Sequence, residues 1–312
     1  MNNMKFGLAG AGAMGKNHAR VISKLPKSEL VAVYDADFKR AKAIAKEFDA
    51  VAVSTLEELA SMTEAVSVAV PTVAHLKVGG ELMNAGSHIL MEKPIAGSIE
   101  EARELVEIAQ QKKRVLAVGH IERFNPVMKT LEKQVGFPRF IEAQRLSPFP
   151  KRSLDIGVVL DLMIHDIEII LHLVKSPVVS VDAVGVPVIT KHEDIANARL
   201  RFENGAVANI TSSRISPDKL RKIRVFQGDA YLSLDYQNQE GHIVKKGLLG
   251  LDKKKVPVEK GEPLFLELQS FANAVREQRD PEVTGLQGLE ALRLALQITD
   301  QIQRDNNTFG TK

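Results

Sequence analysis

The chain opens on a short apolar run, Lys5-Phe6-Gly7-Leu8-Ala9, and up to about residue 120 such runs alternate with stretches of helical periodicity. The further runs are Leu30 to Tyr34, Val51 to Val53, Ala65 to Val70, Ser87 to Met91 and Val115 to Gly119. Between them, Phe38 to Phe48 places Ala41, Ile44, Ala45 and Phe48 on one face of an amphipathic helix. Thr72 to Ala85 predicts a helix closed by Gly86. Ser98 caps another over Ile99 to Lys113, with Glu100 and Glu101 in its first turn. Strands that are apolar throughout and separated by helices predict a parallel sheet covered on both faces, that is, a doubly wound α/β domain. Ligands of such sheets bind outside the carboxyl ends of the strands.

After residue 120 the pattern changes. A helix is expected around Pro126 to Gln134, a strand over Arg139 to Leu146 and a helix over Ile156 to Val174. Five strand-like runs follow: Val178 to Ile189, Ala196 to Phe202, Ala206 to Ser213, Lys222 to Gln227 and Tyr231 to Leu234. Turns such as Glu203-Asn204-Gly205 and Gly228-Asp229 separate them, as in an antiparallel meander. Helices over Pro263 to Arg279 and Leu286 to Asn306 close the chain. The expectation is two contiguous domains, 1–121 and 122–312, the second an α+β domain with helices on one side of a mainly antiparallel sheet. Gln237 to Glu262 fits neither a strand nor a helix pattern throughout.

Composition narrows the function classes. With 312 residues the chain can bury a substantial core. Its formal net charge of +3, from 42 basic and 39 acidic residues, carries no nucleic-acid signature. Lys253-Lys254-Lys255 reads as a solvated turn. There are no cysteines, which excludes disulfide and thiolate chemistry and suits a reducing compartment. No apolar run approaches the roughly 18 residues that a bilayer span needs. Met1-Asn2-Asn3-Met4 leads straight into the first strand without a signal peptide, so a cytoplasmic location is expected.

The chemistry begins in the first turn. Gly10-Ala11-Gly12-Ala13-Met14-Gly15 joins a strand to a helix, and Asp35 ends the next strand twenty residues beyond Gly15. Gly10 permits the tight turn, Gly12 lets the backbone approach a pyrophosphate, and Gly15 lets the helix pack on the sheet. The helix start, Ala13 and Met14 included, offers free N–H groups and a partial positive charge. Asp35 can hydrogen-bond both ribose hydroxyls and would repel a 2′-phosphate, so NAD is the expected cofactor in a Rossmann-type fold. Thr72 and His75 follow a strand end, where they can reach a nicotinamide ribose, although an N-cap explains Thr72 as well.

Lys93 ends a strand between Glu92 and Pro94, positioned to hydrogen-bond a reacting oxygen; an exposed loop lysine is the alternative. Glu92 either holds a ribose hydroxyl or orients Lys93. Asp161 and His165, four apart on a helix, share a face. They form either a general base with its orienting carboxylate or a satisfied core pair. Asp166 faces about 100° away and ranks lower. Asn125 can touch a ligand or make a turn. Arg139, Arg145, Lys151 and Arg152 cluster around Pro148 and Pro150, and the forks of Arg145 and Arg152 suit a diphosphate, with a solvated surface patch as the ordinary alternative. No metal site is expected.

Gly10 to Gly15, Val70-Pro71-Thr72 with His75, Glu92-Lys93-Pro94, and Asp161 with His165 together resemble the Gfo/Idh/MocA oxidoreductases over nearly the whole chain. The resemblance implies a Rossmann domain joined to an open-faced sheet domain that often serves in oligomerisation, here a dimer or tetramer. It also places the Glu-Lys-Pro segment beside the nicotinamide and has a lysine and a histidine act on the substrate. Gly119 to Pro126 and Gly157 to Asp166 resemble the subgroup that oxidises the 3-hydroxyl of UDP-N-acetylglucosamine or related UDP sugars. The expected function is therefore NAD-dependent oxidation of a ring hydroxyl on a UDP-amino sugar. Lys93, Asp161 and His165 would be catalytic, and Lys93, Asn125, Arg145, Arg152, Asp161 and His165 would contact substrate. A dehydrogenase of a free polyol or simple sugar is the alternative within the enzyme class, and a non-catalytic NAD or sugar sensor is the alternative outside it.

Overall fold

A computed structural model describes residues 3–149, 156–247 and 250–309. The chain divides into two compact units, Met1–Ile121 with Glu262–Leu292, and Glu122–Gly261 with Arg293–Lys312.

The first unit is built on strands β1 (Met4–Ala9), β2 (Ser28–Tyr34), β3 (Val51–Val53), β4 (Ala65–Val68), β5 (His88–Glu92) and β6 (Leu116–Gly119). All pair in parallel, in the order β3-β2-β1-β4-β5-β6. That order reverses between β1 and β4, the switch point where doubly wound sheets bind nucleotides. The intervening helices are α1 (Ala13–Ile22), α2 (Phe38–Glu47), α3 (Leu56–Met62), α4 (His75–Asn84) and α5 (Ile99–Lys112). Their starts are chemically specified. Asp37 accepts the Lys39 amide, Thr55 and Glu58 form a reciprocal capping box, and Ser98 accepts the Glu101 amide. β4 and β6 are buried along their whole length, which is why they read as nearly continuous apolar runs, Ser67 of β4 being the polar exception.

Glu262–Leu292 belongs with this first unit, so the second of the expected contiguous domains is interrupted. The reason lies in α8 (Pro263–Glu277), whose Leu264, Leu268 and Phe271 join the core of Phe6, Leu8 and Leu90. Phe271 meets Phe6 edge to face at 6.1 Å.

The second unit carries an eight-stranded sheet in the order β14-β13-β12-β11-β7-β10-β9-β8. The strands are β7 (Pro138–Leu146), β8 (Val178–Val186), β9 (Ile195–Phe202), β10 (Val207–Ser213), β11 (Leu220–Gln227), β12 (Ala230–Asp235), β13 (Glu240–Gly247) and β14 (Gly250–Val256). Helices α6 (Pro126–Gln134) and α7 (Ile164–Val174) pack on it, and α9 (Gly285–Phe309) closes the chain. Ile141, Ala143, Ala208, Ile210, Ile223 and Val225 all point to one buried face.

Two expectations change here. The meander is antiparallel except where β10 runs parallel to β7, because α7, β8 and β9 intervene and bring the chain back alongside. The 237–262 stretch forms the β13–β14 hairpin, and Lys253 to Lys255 lie on its outer strand rather than in a turn. β14 is exposed up to Val256, so no core imposes an alternating pattern, and lysines on an edge strand discourage further pairing.

Candidate active site

The glycine turn is the most constrained backbone in the first unit. Gly10 sits at φ +101°, donates its N–H to the Tyr34 carbonyl at 2.8 Å, and has room for no side chain, since a Cβ would lie 2.5 Å from the Ala69 carbonyl oxygen. A Cβ on Gly15 would lie 1.8 Å from the Gly10 carbonyl oxygen, so α1 can approach the turn only through glycine. Gly12 differs: it precedes α1, and a Cβ there would meet nothing within 4 Å. Its bareness serves no internal packing and leaves the helix start, with Ala13 exposed and Met14 half-buried, open to a ligand.

Asp35 accepts the amides of Ala11 at 2.6 Å and Asp37 at 2.8 Å, which fixes its carboxylate at the end of β2. A cavity of about 690 Å³ lined by Gly10, Gly12, Asp35, Thr55, Val70 and Pro71 opens beside it. A bare anion-binding turn, a helix N-terminus and an oriented carboxylate around one cavity are the donor set that a dinucleotide requires, and NAD fits these residues.

At the end of β5, Glu92 is tied into a buried chain. His18 of α1 contacts the Ser67 hydroxyl at 2.6 Å through Nδ1 and Glu92 Oε1 at 2.9 Å through Nε2, and the Lys93 amide donates to Glu92 Oε2 at 3.2 Å. Burial opposes the Glu92 charge, but His18 and Lys93 outweigh it and hold the carboxyl below its ordinary range. Of the two roles expected for Glu92, this geometry fits the orienting one. The sequence reading missed His18 and Ser67; the available signal was a histidine on the sheet-facing side of α1, beside Ala19 and Ile22.

His75 lies elsewhere than a cofactor contact requires. It is buried, with Nδ1 3.2 Å from the Ile95 carbonyl oxygen and Nε2 3.1 Å from that of Val70, so the ring spans the loops that follow β4 and β5. Burial keeps its pKa below the usual imidazole value. Thr72 opens a 3₁₀ turn ahead of α4, half-buried and without a capping role for that helix.

In the second unit, Asp161 lies in a π-helical turn, Val159–Met163, that runs directly into α7, with His165 in the first turn of α7. The expected single helix over Ile156 to Val174 is thus a wide turn followed by a regular one; such turns re-aim side chains and recur at functional sites. Asp161 and His165 stay half-buried while Val159, Met163 and Ile164 are buried. A buried strap holds the turn. Glu193 accepts the Val159 amide at 3.3 Å, and Arg214 donates to the Ile156 carbonyl at 2.8 Å and to Asp194 at 2.8 Å. Asp194 also accepts the amides of Val188, Ile189 and Thr190. Burial opposes its charge, but these donors outweigh it and hold the carboxyl well below the usual range.

Arg145 departs from the expected diphosphate role. It is 3 % exposed, shares the core face of β7 with Ile141 and Ala143, and gives Nε and Nη2 to Asp166 at 2.8 and 3.1 Å and Nη1 to Glu122 at 2.8 Å. Strand parity turned the side chain inward, and a buried guanidinium needs internal carboxylates. Burial works against its charge, but Asp166 and Glu122 overcome this and hold it firmly protonated. Asn125 is likewise buried, capping α6 through the Val127 amide and donating to the Tyr236 carbonyl at 3.0 Å. Arg152 lies outside the described residues. Among the described residues no cluster of three or more histidine or acidic side chains could hold a metal, and no helix is long and apolar enough to cross a membrane.

Two family models match in chain order: the oxidoreductase family with NAD-binding Rossmann fold over residues 4–120, and the Gfo/Idh/MocA C-terminal domain over residues 130–231. A UDP-N-acetylglucosamine 3-dehydrogenase of Acidithiobacillus ferrooxidans is 38% identical over 306 residues, covering 96% of this chain and 97% of the relative. A solved structure of that enzyme superposes with a TM-score of 0.93 at 37% identity, over 97% of this chain and 99% of the other. The scyllo-inositol 2-dehydrogenase (NAD(+)) of Bacillus subtilis is 24% identical over 97% of this chain and 95% of the relative. Matched along nearly its whole length, the chain belongs to the Gfo/Idh/MocA family of oxidoreductases, with NAD as its cofactor.

Proposed function

We propose that the protein oxidises the 3-hydroxyl of UDP-N-acetylglucosamine, or of a closely related UDP-linked amino sugar, to the ketone. The observation that carries this reading is the similarity in sequence and fold, along nearly the whole chain, to the Acidithiobacillus enzyme of that name. NAD, when bound, supplies the hydride acceptor. The carbon then loses hydride and its hydroxyl loses a proton, so a base and a cation near the developing alkoxide are both needed. In this proposal Lys93 hydrogen-bonds the reacting oxygen and stabilises its negative charge, His165 takes the proton, and Asp161 orients His165. The ionised Glu92, fixed by His18, orients Lys93. Gly12, Ala13, Met14 and Asp35 hold the dinucleotide, with Thr72 near its nicotinamide end.

A second reading, oxidation of a free polyol or simple sugar, is favoured by one observation: Arg145 is consumed inside the fold and offers nothing to a diphosphate. The two are separated by incubating the protein and NAD with UDP-N-acetylglucosamine, N-acetylglucosamine and inositols, following reduced-nicotinamide absorbance and identifying products by mass. A keto-sugar formed only from the UDP-linked substrate supports the first reading, and turnover of free polyols replaces it with the second. We also propose a cytoplasmic homo-oligomer. Val179, Val184 and Val186 of β8 are exposed apolar residues that a second copy would cover, and light scattering of the purified protein tests this.

A further inference from the structure

Buried acids in this protein are, with one exception among the described residues, met by a cation or by amide donors. Glu122 and Asp166 hold Arg145, Glu168 holds Arg123, Asp194 holds Arg214, and Glu92 holds His18. The exception is Glu267 of α8. It is 1 % exposed, lies on the apolar face that carries Leu264, Leu268 and Phe271, and neither carboxyl oxygen has a hydrogen-bond partner. The acid that acts on it is Glu92, on a strand that α8 packs against. An unsatisfied buried polar group is costly, and leucine would fill an apolar helix face without that penalty. Burial first, and then the negative charge of Glu92, push the Glu267 carboxyl well above its ordinary value.

We propose that Glu267 is a positioning residue for the oxidation: through one bridging water its carboxyl directs an O–H at Glu92 and holds the Glu92 carboxylate against His18 and the Lys93 amide. Lys93 is then presented in one orientation. Of the other charged groups on the packed elements, Arg20 of α1 pairs with Glu262, Lys16 with Glu47, Arg276 of α8 donates to the Lys27 carbonyl, and His88 of β5 accepts the Val115 amide. This inference rests on the reading of Lys93 as the group that acts on the sugar oxygen, and Lys93→Met tests that reading separately.

Two variants of the full chain decide it, Glu267→Gln, which keeps a neutral donor of the same shape, and Glu267→Leu, which removes it. Each is measured for Tm, NAD affinity, kcat and KM across pH, and the infrared carbonyl band of a protonated carboxyl in the ligand-free protein. Glu267→Leu should keep or raise Tm and keep NAD affinity, yet lower kcat by about tenfold or more, while Glu267→Gln stays within about threefold of the parent. One component of the parent's protonated-carboxyl band should be missing from both variants, while the component of Glu168, with its pKa of about 7, stays in all three proteins. Any fall in the parent's kcat at high pH caused by Glu267 ionisation should also be absent from Glu267→Gln. Unchanged kcat in Glu267→Leu would overturn the proposal. So would equal loss in both variants that tracks a lower Tm, or a protonated-carboxyl band identical in the parent and both variants. The infrared and Tm results stand even if the substrate or Lys93 assignment fails, so the two failures are distinguishable.

Discussion

Three glycines within six residues do three different jobs, and single substitutions separate them. Gly15→Ala drives a methyl into the Gly10 carbonyl, an immovable backbone atom, so α1 must shift and Tm should fall with NAD binding. Gly12→Ala meets no protein atom, so Tm should hold while NAD affinity drops at least about tenfold, because the methyl occupies the space a pyrophosphate needs. Equal thermal shifts in the two variants, or full NAD affinity in Gly12→Ala, would remove Gly12 from the cofactor site. Lys93 calls for the opposite signature. Lys93→Met keeps the length of the side chain and removes the charge, so calorimetry should find NAD affinity nearly unchanged while turnover vanishes. Surviving turnover would transfer its role to another group.

At the scale of elements, legibility in the sequence followed the range of the interactions. Parallel strands buried on both faces are mostly apolar, so β1, β4 and β6 were visible one by one, and the glycine turn and Asp35 followed from local spacing. Asp161 and His165 were singled out by helical spacing, which is also local, but the π turn that holds Asp161 was not visible in it. The role of Arg145 was not visible either, because its partners Asp166 and Glu122 lie 21 and 23 positions away and only strand parity decides which way it points. His18 reaches Ser67 and Glu92 across 49 and 74 positions, and no short motif encodes such a chain. The β13–β14 hairpin escaped because an exposed edge has no hydrophobic period. The strap behind the π turn was equally invisible, and it carries a prediction. In Asp194→Asn the new amide faces three backbone N–H donors and the buried Arg214 loses the charge of Asp194, so denaturant unfolding should show a loss of about 3–5 kcal/mol. At temperatures where the variant remains folded, turnover should fall further than NAD affinity, because the strap supports the turn that carries Asp161 and not the glycine turn. A variant as stable and active as the parent would show that the turn holds its shape unaided.

For the whole molecule, the buried acids set how stability depends on pH, and their signs oppose one another. Glu92, Glu122 and Asp194 are held below their ordinary pKa, so the stability they contribute is present above that value and lost as pH falls through the folded one. Glu168 goes the other way. It is buried with Arg123 donating to one oxygen at 2.6 Å and nothing on the other, and burial lifts its pKa to about 7 against the pull of Arg123. The folded protein therefore binds a proton at Glu168 that the unfolded chain has already released. Its contribution is complete below the ordinary 4.5 and is lost as pH rises through about 7. Glu267, also raised by burial, acts in the same direction. Stability should accordingly peak on the mildly acid side of neutrality and decline through neutral pH. Glu168→Gln isolates the effect, because glutamine still offers Arg123 an oxygen but carries no titratable proton. Between about pH 5 and about pH 8 the parent should lose up to about 3 kcal/mol relative to that variant, at about 1.4 kcal/mol per pKa unit, read from urea midpoints at each pH. Parallel pH curves for the two proteins would mean that Glu168 stays ionised beside Arg123 throughout, and that the neutral-pH decline belongs to another group.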